Sequence, residues 1–434
     1  MQVSVTTTAG LERRLEIAVP GEQVAGEVDQ RLKRLARTAR LKGFRPGKVP
    51  YAVVKQQFGP QVHAEAVSAI MQSSFAEAVS QQNLKPAAGP RIEPIQMEPG
   101  SELRYAAVFE VLPEIVVKPL SSIAVERPVA TIQESDVDNM LERMREQRPR
   151  FNEVKRAARE GDRVTIEHVG RIDGAEFPGG TGKDLAVQVG ARQILPELDQ
   201  ALIGMSAGDA RTVQTRFPDN YGSAAVAGKP AEFDLKVTRV EERSLPALDQ
   251  AFAQEFGVTE GGLAALRTEV RANMERELAA AVRARLRDQL LEGLYRDNPL
   301  ELPRSMVDEQ VQELQNQMLQ RLGGRADPQN LPAREVFEPN ARRRVALGLL
   351  LGEIIRAQEL KVDRSRLEQR LDALVANARD PQELRRQYLA SREAMRSLES
   401  ATLEDQAVDW MLDQVKITER TSSFAEVTGF GQSE

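Results

Sequence analysis

The sequence predicts a multidomain α+β protein: an N-terminal α+β unit, a middle unit on a half-open β-sheet and an all-α C-terminal region with arms. Three observations predict it. Apolar and polar residues alternate at both ends of the first hundred or so residues, on either side of helical stripes. Short alternating strands and Gly/Pro turns fill residues 151–243, and from Leu245 onward the apolar spacing is helical almost throughout. A chain of 434 residues also exceeds one ordinary core, so several domains are expected. The texture changes divide it at 1–113, a connector at 114–150, 151–243 and 244–434.

Taken in order, Val3 and Val5 alternate with polar neighbours, Ala9-Gly10 gives a turn, and Leu15, Ile17 and Val19 alternate again. From Pro20 to Lys42 the residues Val24, Val28, Leu32 and Leu35 keep helical spacing, with Pro20 where a first turn tolerates it. The acidic residues of that helix lie early, while Arg31, Lys33, Arg34, Arg37, Arg40 and Lys42 crowd its late half. A helix dipole accounts for one or two of them. The stretch Gly43-Phe44-Arg45-Pro46-Gly47-Lys48-Val49-Pro50 comes next, and its glycines and prolines cannot continue a helix or a central strand. It is a stiff loop presenting Phe44 between cations, on a chain whose formal net charge is −6. Such local basic density is the electrostatic footprint of a nucleic-acid partner. From these residues alone, Phe44 either docks in an apolar crevice of an acidic partner or folds back into its own domain.

Helices are expected from Tyr51 to Phe58 and from Val62 to about Gln82, separated by Gly59-Pro60, and a returning strand over Leu103–Val111. The connector carries extended pieces around Val117, Ile123 and Val125 and a helix from Ser135 to Gln147 ended by Pro149. It is too patterned for a floppy tether. In the middle unit Val164, Ile166 and His168 alternate, Asp173-Gly174 marks a hairpin, and Leu185, Val187 and Val189 alternate again. A short helix near Glu197–Ile203 and strands at Val213 and Phe233–Val237 close the set. The C-terminal region opens on one stripe, Leu263 through Leu294, about 50 Å long at 1.5 Å per residue. A second helix after Pro303 stops at Gly323-Gly324, and the two read as an antiparallel arm. Further helices are expected at about 332–360, 363–378, 381–390 and 392–413, and the tail from Thr421 reads as disordered.

Composition narrows the chemistry. There is no cysteine and there are two histidines, His63 and His168, so neither a thiolate nor a histidine metal centre is expected. Gly179-Gly180-Thr181-Gly182-Lys183 has the wrong glycine spacing for a phosphate loop and no long helix after it, so it reads as a surface hairpin. No cofactor is expected. The N-terminus lacks an export-signal pattern, and the most apolar run, Val345 to Ile355, is broken by Gly348, Gly352 and Glu353. A soluble cytoplasmic protein is expected, with neither a membrane nor DNA as partner.

Gly-Phe-Arg-x-Gly-x-x-Pro after a basic helix resembles the ribosome-docking loop of the bacterial trigger factor family, and the segments beyond the loop match that family in order through almost the entire chain. The resemblance implies that Gly43, Phe44, Arg45, Pro46, Gly47, Lys48 and Pro50 dock on the large ribosomal subunit beside the tunnel exit. Pro46 stands where a third cation is frequent, which implies weaker or differently tuned docking. The middle unit resembles the FK506-binding-protein type of peptidyl-prolyl isomerase. That correspondence sets Phe177, Ile194, Leu195, Leu198, Tyr221 and Phe233 around a prolyl cleft, with His168 on its strand face and Tyr221 as a hydroxyl donor. As sequence alone, the apolar members are equally ordinary core. Relatives often carry Ile-Pro-Gly-Phe-Glu where this chain has Leu195-Pro196-Glu197-Leu198-Asp199, so reduced isomerase activity is expected.

The family reading is an ATP-independent chaperone that shelters nascent and unfolded polypeptides, assists folding and export, and pairs with itself off the ribosome. Met274, Met306, Met318, Met395 and Met411 are candidate client contacts because methionine adapts to many surfaces; equally, each can be core between helices. Two other readings stay open: a free prolyl isomerase with substrate-recruiting flanks, and a helical adaptor with a degenerate isomerase domain.

Overall fold

A computed structural model describes residues 1–39, 41, 44, 49–98, 100–223, 225–322, 331–376 and 378–431. The chain forms two compact units, each assembled from separate stretches: Met1–Arg127 with Ala284–Arg420, and Pro128–Arg283 with Thr421–Glu434.

The first unit opens with strands β1 (Gln2–Ala9) and β2 (Glu12–Val19), turned by Gly10 at a positive φ of 47°. Helices α1 (Gly21–Thr38) and α2 (Tyr51–Gln81) follow, then β3 (Arg91–Gln96) and β4 (Leu103–Glu110). The sheet order is β1-β2-β4-β3, antiparallel throughout. The inward set of β2, Leu15, Ile17 and Val19, meets Val67 and Ile70 of α2 and Tyr105 and Phe109 of β4 in one buried cluster. Tyr105 keeps its hydroxyl satisfied there by donating to the Met71 carbonyl at 2.9 Å.

Helix α2 is continuous where two helices were expected. Pro60 sits inside it. Val54, Val62, Ala66 and Ile70 stay in phase across the proline and are all buried, so packing of one stripe outweighs the roughly 3 kcal/mol that an interior proline costs.

After β5 (Ala124–Val129) the second unit begins with α3 (Glu134–Glu146). Strands β6 (Arg150–Glu153), β7 (Arg163–Ile172), β8 (Ala175–Gln188), β9 (Ala210–Arg216) and β10 (Pro230–Ser244) make a five-stranded sheet in the order β6-β10-β7-β8, with β9 on the other side of part of β10. Helix α4 (Pro196–Leu202) lies against it through Leu198 and Leu202, which join Val164, Ile166, Leu235 and Val237 in the core. Helices α5 (Gln250–Glu255) and α6 (Gly262–Asp297) follow, α6 realising the long stripe and running through the division between the units.

The first unit resumes with α7 (Arg304–Arg321), α8 (Arg334–Ala357), α9 (Arg364–Val375), α10 (Pro381–Ala390) and α11 (Arg392–Leu412). The expected pairing of the long helix with its successor is replaced by another. α7 packs on α8, with Val307, Val311 and Leu314 against Ala341, Val345 and Ala346. Which stripe closes on which is a tertiary choice that helical spacing does not encode.

The tail also departs from expectation. β11 (Lys416–Thr421) pairs with β5, and α12 (Phe424–Thr428) is held by a Ser423/Glu426 capping box. Phe424 is buried with Phe252, Leu266 and Met274 of the second unit. Val427 is buried as well and Phe430 packs against Phe424, so a few apolar anchors order a segment whose composition is otherwise that of a loop.

Candidate functional site

The second unit holds a cavity of about 350 Å³ on one face of its sheet. It gathers every residue that the sequence set around a prolyl cleft: His168 of β7, Phe177 of β8, Ile194, Leu195 and Leu198 around the start of α4, Tyr221 after β9, and Phe233 of β10. Phe217 was missed, although it opens the same Phe217-Pro218-Asp219-Asn220-Tyr221 turn. It stands at the centre of the ring cluster, edge-on to Phe177 at 5.9 Å, 6.2 Å from Phe233 and 4.8 Å from Tyr221 between centroids. Phe177 and Phe233 also meet edge-on at 6.1 Å. Such edge-to-face contacts fix ring orientation as well as burying area.

Local structure holds the rim. Pro196 occupies the first turn of α4, and the Asp199 carboxylate, only 7% exposed, accepts from the backbone N–H of Gly190 at 2.9 Å and of Arg192 at 3.4 Å. That ties the segment leading to Ile194 and Leu195 back onto the helix. On the facing rim, Tyr221 is 45% exposed and its N–H donates to the Pro218 carbonyl at 3.1 Å. Its ring leans on Phe217 while the rest of the side chain stays open to solvent.

His168 is the titratable imidazole of the cleft wall. Its Nδ1 is buried without a hydrogen-bond partner among the described residues, and burial pushes the imidazole below its usual pKa. The ring is therefore neutral near pH 7. The cleft is lined mainly by apolar and aromatic side chains, with Gln193, Tyr221 and Ser223 as polar groups beside His168, a make-up that suits a planar ring more than a charged substrate.

The N-terminal loop is described only in part. Phe44 is 40% exposed, and its N–H donates to the Leu41 carbonyl at 3.2 Å. Ala39 and Val49, on either side, are buried with Leu32, Val54 and Val62, so both feet of the loop are fixed between α1 and α2. Pro50 is exposed directly before α2. Gly43, Arg45, Pro46, Gly47 and Lys48 lie outside the described residues, as do Arg40 and Lys42. Of the α1 cations, Arg31 pairs with Glu27 at 2.7 Å and Lys33 with Asp29 at 2.6 Å, which neutralises part of the expected basic prong. Arg34 and Arg37 are exposed.

The methionines separate. Met274 and Met411 are 1% and 0% exposed; they are core and present no surface to a client, which corrects the expectation for those two. Met306 borders a groove of about 520 Å³ between α7 and α8, beside Val345 and Leu349. Met318 and Met395 are half-buried. The large apolar side chains that do reach solvent are others, among them Leu322, Val336, Leu374 and Leu389. Nothing in their spacing distinguishes them from buried neighbours on the same stripes.

Among the described residues, no three or more His, Asp and Glu side chains cluster as metal ligands, and no helix is long and apolar enough to cross a membrane.

Comparison with known proteins agrees along the whole chain. Residues 1–144 match the family described as bacterial trigger factor protein, residues 154–238 the FKBP-type peptidyl-prolyl cis-trans isomerase family, and residues 262–413 the trigger factor C-terminus. Trigger factor of Thioalkalivibrio sulfidiphilus (strain HL-EbGR7) is 44% identical over 427 residues, 98% of each chain. That of Alkalilimnicola ehrlichii (strain ATCC BAA-1101 / DSM 17681 / MLHE-1) is 44% identical over 436 residues, covering 100% of this chain and 97% of the relative. A solved structure, from work on promiscuous substrate recognition in the folding and assembly activities of the trigger factor chaperone, superposes with a TM-score of 0.50 at 19% identity. It covers 95% of this chain and 100% of that one, and it bears on the fold alone. The chain belongs to the bacterial trigger factor family, with an FKBP-type peptidyl-prolyl isomerase domain between its N- and C-terminal regions.

Proposed function

We propose that this trigger factor chaperone docks beside the tunnel exit of the large ribosomal subunit through the loop around Phe44, with Gly43, Arg45, Pro46, Gly47, Lys48 and Pro50 completing the contact. The observation that carries this reading is the exposed Phe44 ring between the buried feet Ala39 and Val49. An aromatic side chain kept out of its own core, on a loop whose ends cannot move far, loses little entropy on binding. Arg34 and Arg37 extend the positive face behind it. Loss of ribosome co-sedimentation on reversing Arg45 and Lys48 to Glu supports the reading. Unchanged pelleting of that variant across a salt series overturns it.

The cleft around Phe217 works on prolyl peptide bonds. Rotation is opposed by about 18–20 kcal/mol of lost resonance. A dry ring-lined slot lowers that barrier by holding the twisted imide better than the planar one, with the Tyr221 hydroxyl available to the substrate carbonyl. Leu198 offers no flat surface to a proline ring, so turnover is modest. No nucleophile, metal or nucleotide takes part in such a rotation.

Clients are held by the α7–α8 groove bordered by Met306 and by the exposed apolar side chains of the C-terminal helices, with Met318 and Met395 adding adaptable contacts. Release comes from weak contacts and from folding of the client. The protein works in the cytoplasm and pairs with itself when off the ribosome. Suppression of aggregation of an unfolded client without nucleotide separates this reading from a helical adaptor.

A further inference from the structure

The run Gly179-Gly180-Thr181-Gly182-Lys183 is no phosphate loop, yet the fold gives its glycines a task. Gly180 and Gly182 are two apart on β8 and so share a face, with Thr181 on the other. In the strand register Gly182 lies across from His168, and Gly170 of β7 lies across from Phe233 of β10. A Cβ added at Gly182 would stand 2.5 Å from Cε1 of His168. One at Gly180 would stand 2.8 Å from the Phe177 ring, and one at Gly170 would stand 2.5 Å from the Phe233 ring and 3.0 Å from that of Phe177. Carbon atoms pack best near 3.5–4.0 Å, so a side chain at any of the three fits only if the ring moves. Their backbones do not demand glycine, since none has a positive φ; that conformation falls instead to Gly179 and Asp184, which bracket the run at 84° and 55°. What opposes a side chain at all three positions is the rings themselves.

We propose that Gly170, Gly180 and Gly182 are positioning residues of the prolyl cleft, the bare backbone into which Phe233, Phe177 and His168 lay their rings. The inference rests on the prolyl reading of the cavity. Without a side chain at these positions, each ring closes onto the bare backbone of the sheet and leaves the slot open. With one, the ring lifts into the space the substrate would occupy.

The test uses the full-length chain and a protease-free exchange assay on a short Xaa-Pro peptide. Gly182→Ala should lower kcat/KM by about tenfold, mostly through KM, because displacement of a site group by about 1 Å can cost up to about 10²-fold. In a His168→Ala background, where no ring remains to be lifted, adding Gly182→Ala should change kcat/KM by less than about twofold. The resonance of the His168 Cε1 proton should shift in Gly182→Ala. Should Gly182→Ala not fold, Gly180→Ala with and without Phe177→Ala makes the same comparison. Parent-like kcat/KM in Gly182→Ala, or equal losses in both backgrounds, overturns the proposal. A parent protein inactive on the peptide defeats the prolyl reading instead, and the His168 resonance then still decides the seat.

Discussion

The Glu110 carboxylate, at the end of β4, caps the start of α7 by accepting from the Ser305 N–H at 2.8 Å, the Ser305 hydroxyl at 2.7 Å and the Arg304 N–H at 2.9 Å. Pro303, which precedes the helix, makes no side-chain cap of its own. An acceptor 195 residues away in sequence satisfies donors that every helix start leaves open, and its charge meets the positive end of the helix dipole. Burial works to raise the Glu110 pKa, but the hydrogen bonds from Ser305 and Arg304 outweigh it and hold the carboxyl below its ordinary value.

Glu110→Gln should therefore cost about 1–3 kcal/mol of stability, read as a lower thermal midpoint of the first unit. The same group sets a pH dependence. A carboxyl with a depressed folded pKa contributes stability that is present above its unfolded value and lost as pH falls through the folded one. The gap between parent and Glu110→Gln should accordingly close in acid. An equal gap at pH 7 and pH 3 would count against the cap.

His168 should titrate below the ordinary histidine range when followed by its imidazole proton resonances. Because the fold holds the neutral ring, its contribution to stability is full above the unfolded value and is lost as pH falls through the lowered folded value. Isomerase activity should drop over that same acid interval, since a charged imidazolium does not suit an apolar cleft wall. In His168→Phe the ratio of activity at pH 5 to that at pH 7 should approach one.

Leu198→Phe should raise kcat/KM on a proline peptide by roughly two- to tenfold, the worth of one aromatic contact of about 0.5–1.5 kcal/mol. The side chain already lies in the cleft beside Phe177 and Phe217. A variant no faster than the parent would mean that the missing aromatic floor does not limit turnover.

Asp199→Ala should free the segment from Gly190 to Leu195 by leaving the Gly190 N–H without its acceptor, at a cost of about 1–3 kcal/mol. The expected signature is a raised KM with faster amide exchange confined to that segment. Exchange unchanged there, with the whole unit destabilised, would show that Asp199 supports the fold alone.

Whatever depends on near neighbours in the chain was legible before any fold was known. Helix α6 was readable because an apolar stripe at helical spacing is written in consecutive turns, and β1, β2, β4, β7 and β10 because alternation is local, whereas β3, β6 and β11 went unread. The ring residues of the cleft were legible through family resemblance, while Phe217 beside them was not. Long-range packing settled the rest. It carried α2 through Pro60 because the same stripe is buried on both sides of the proline, and it paired α7 with α8. It buried Met274, Met411 and Phe424 while leaving Leu389 exposed, and it set Gly182 under the ring of His168. Each of these depends on which surface meets which across long stretches of chain, and helical or strand spacing records only that a residue faces inward or outward, not what it faces.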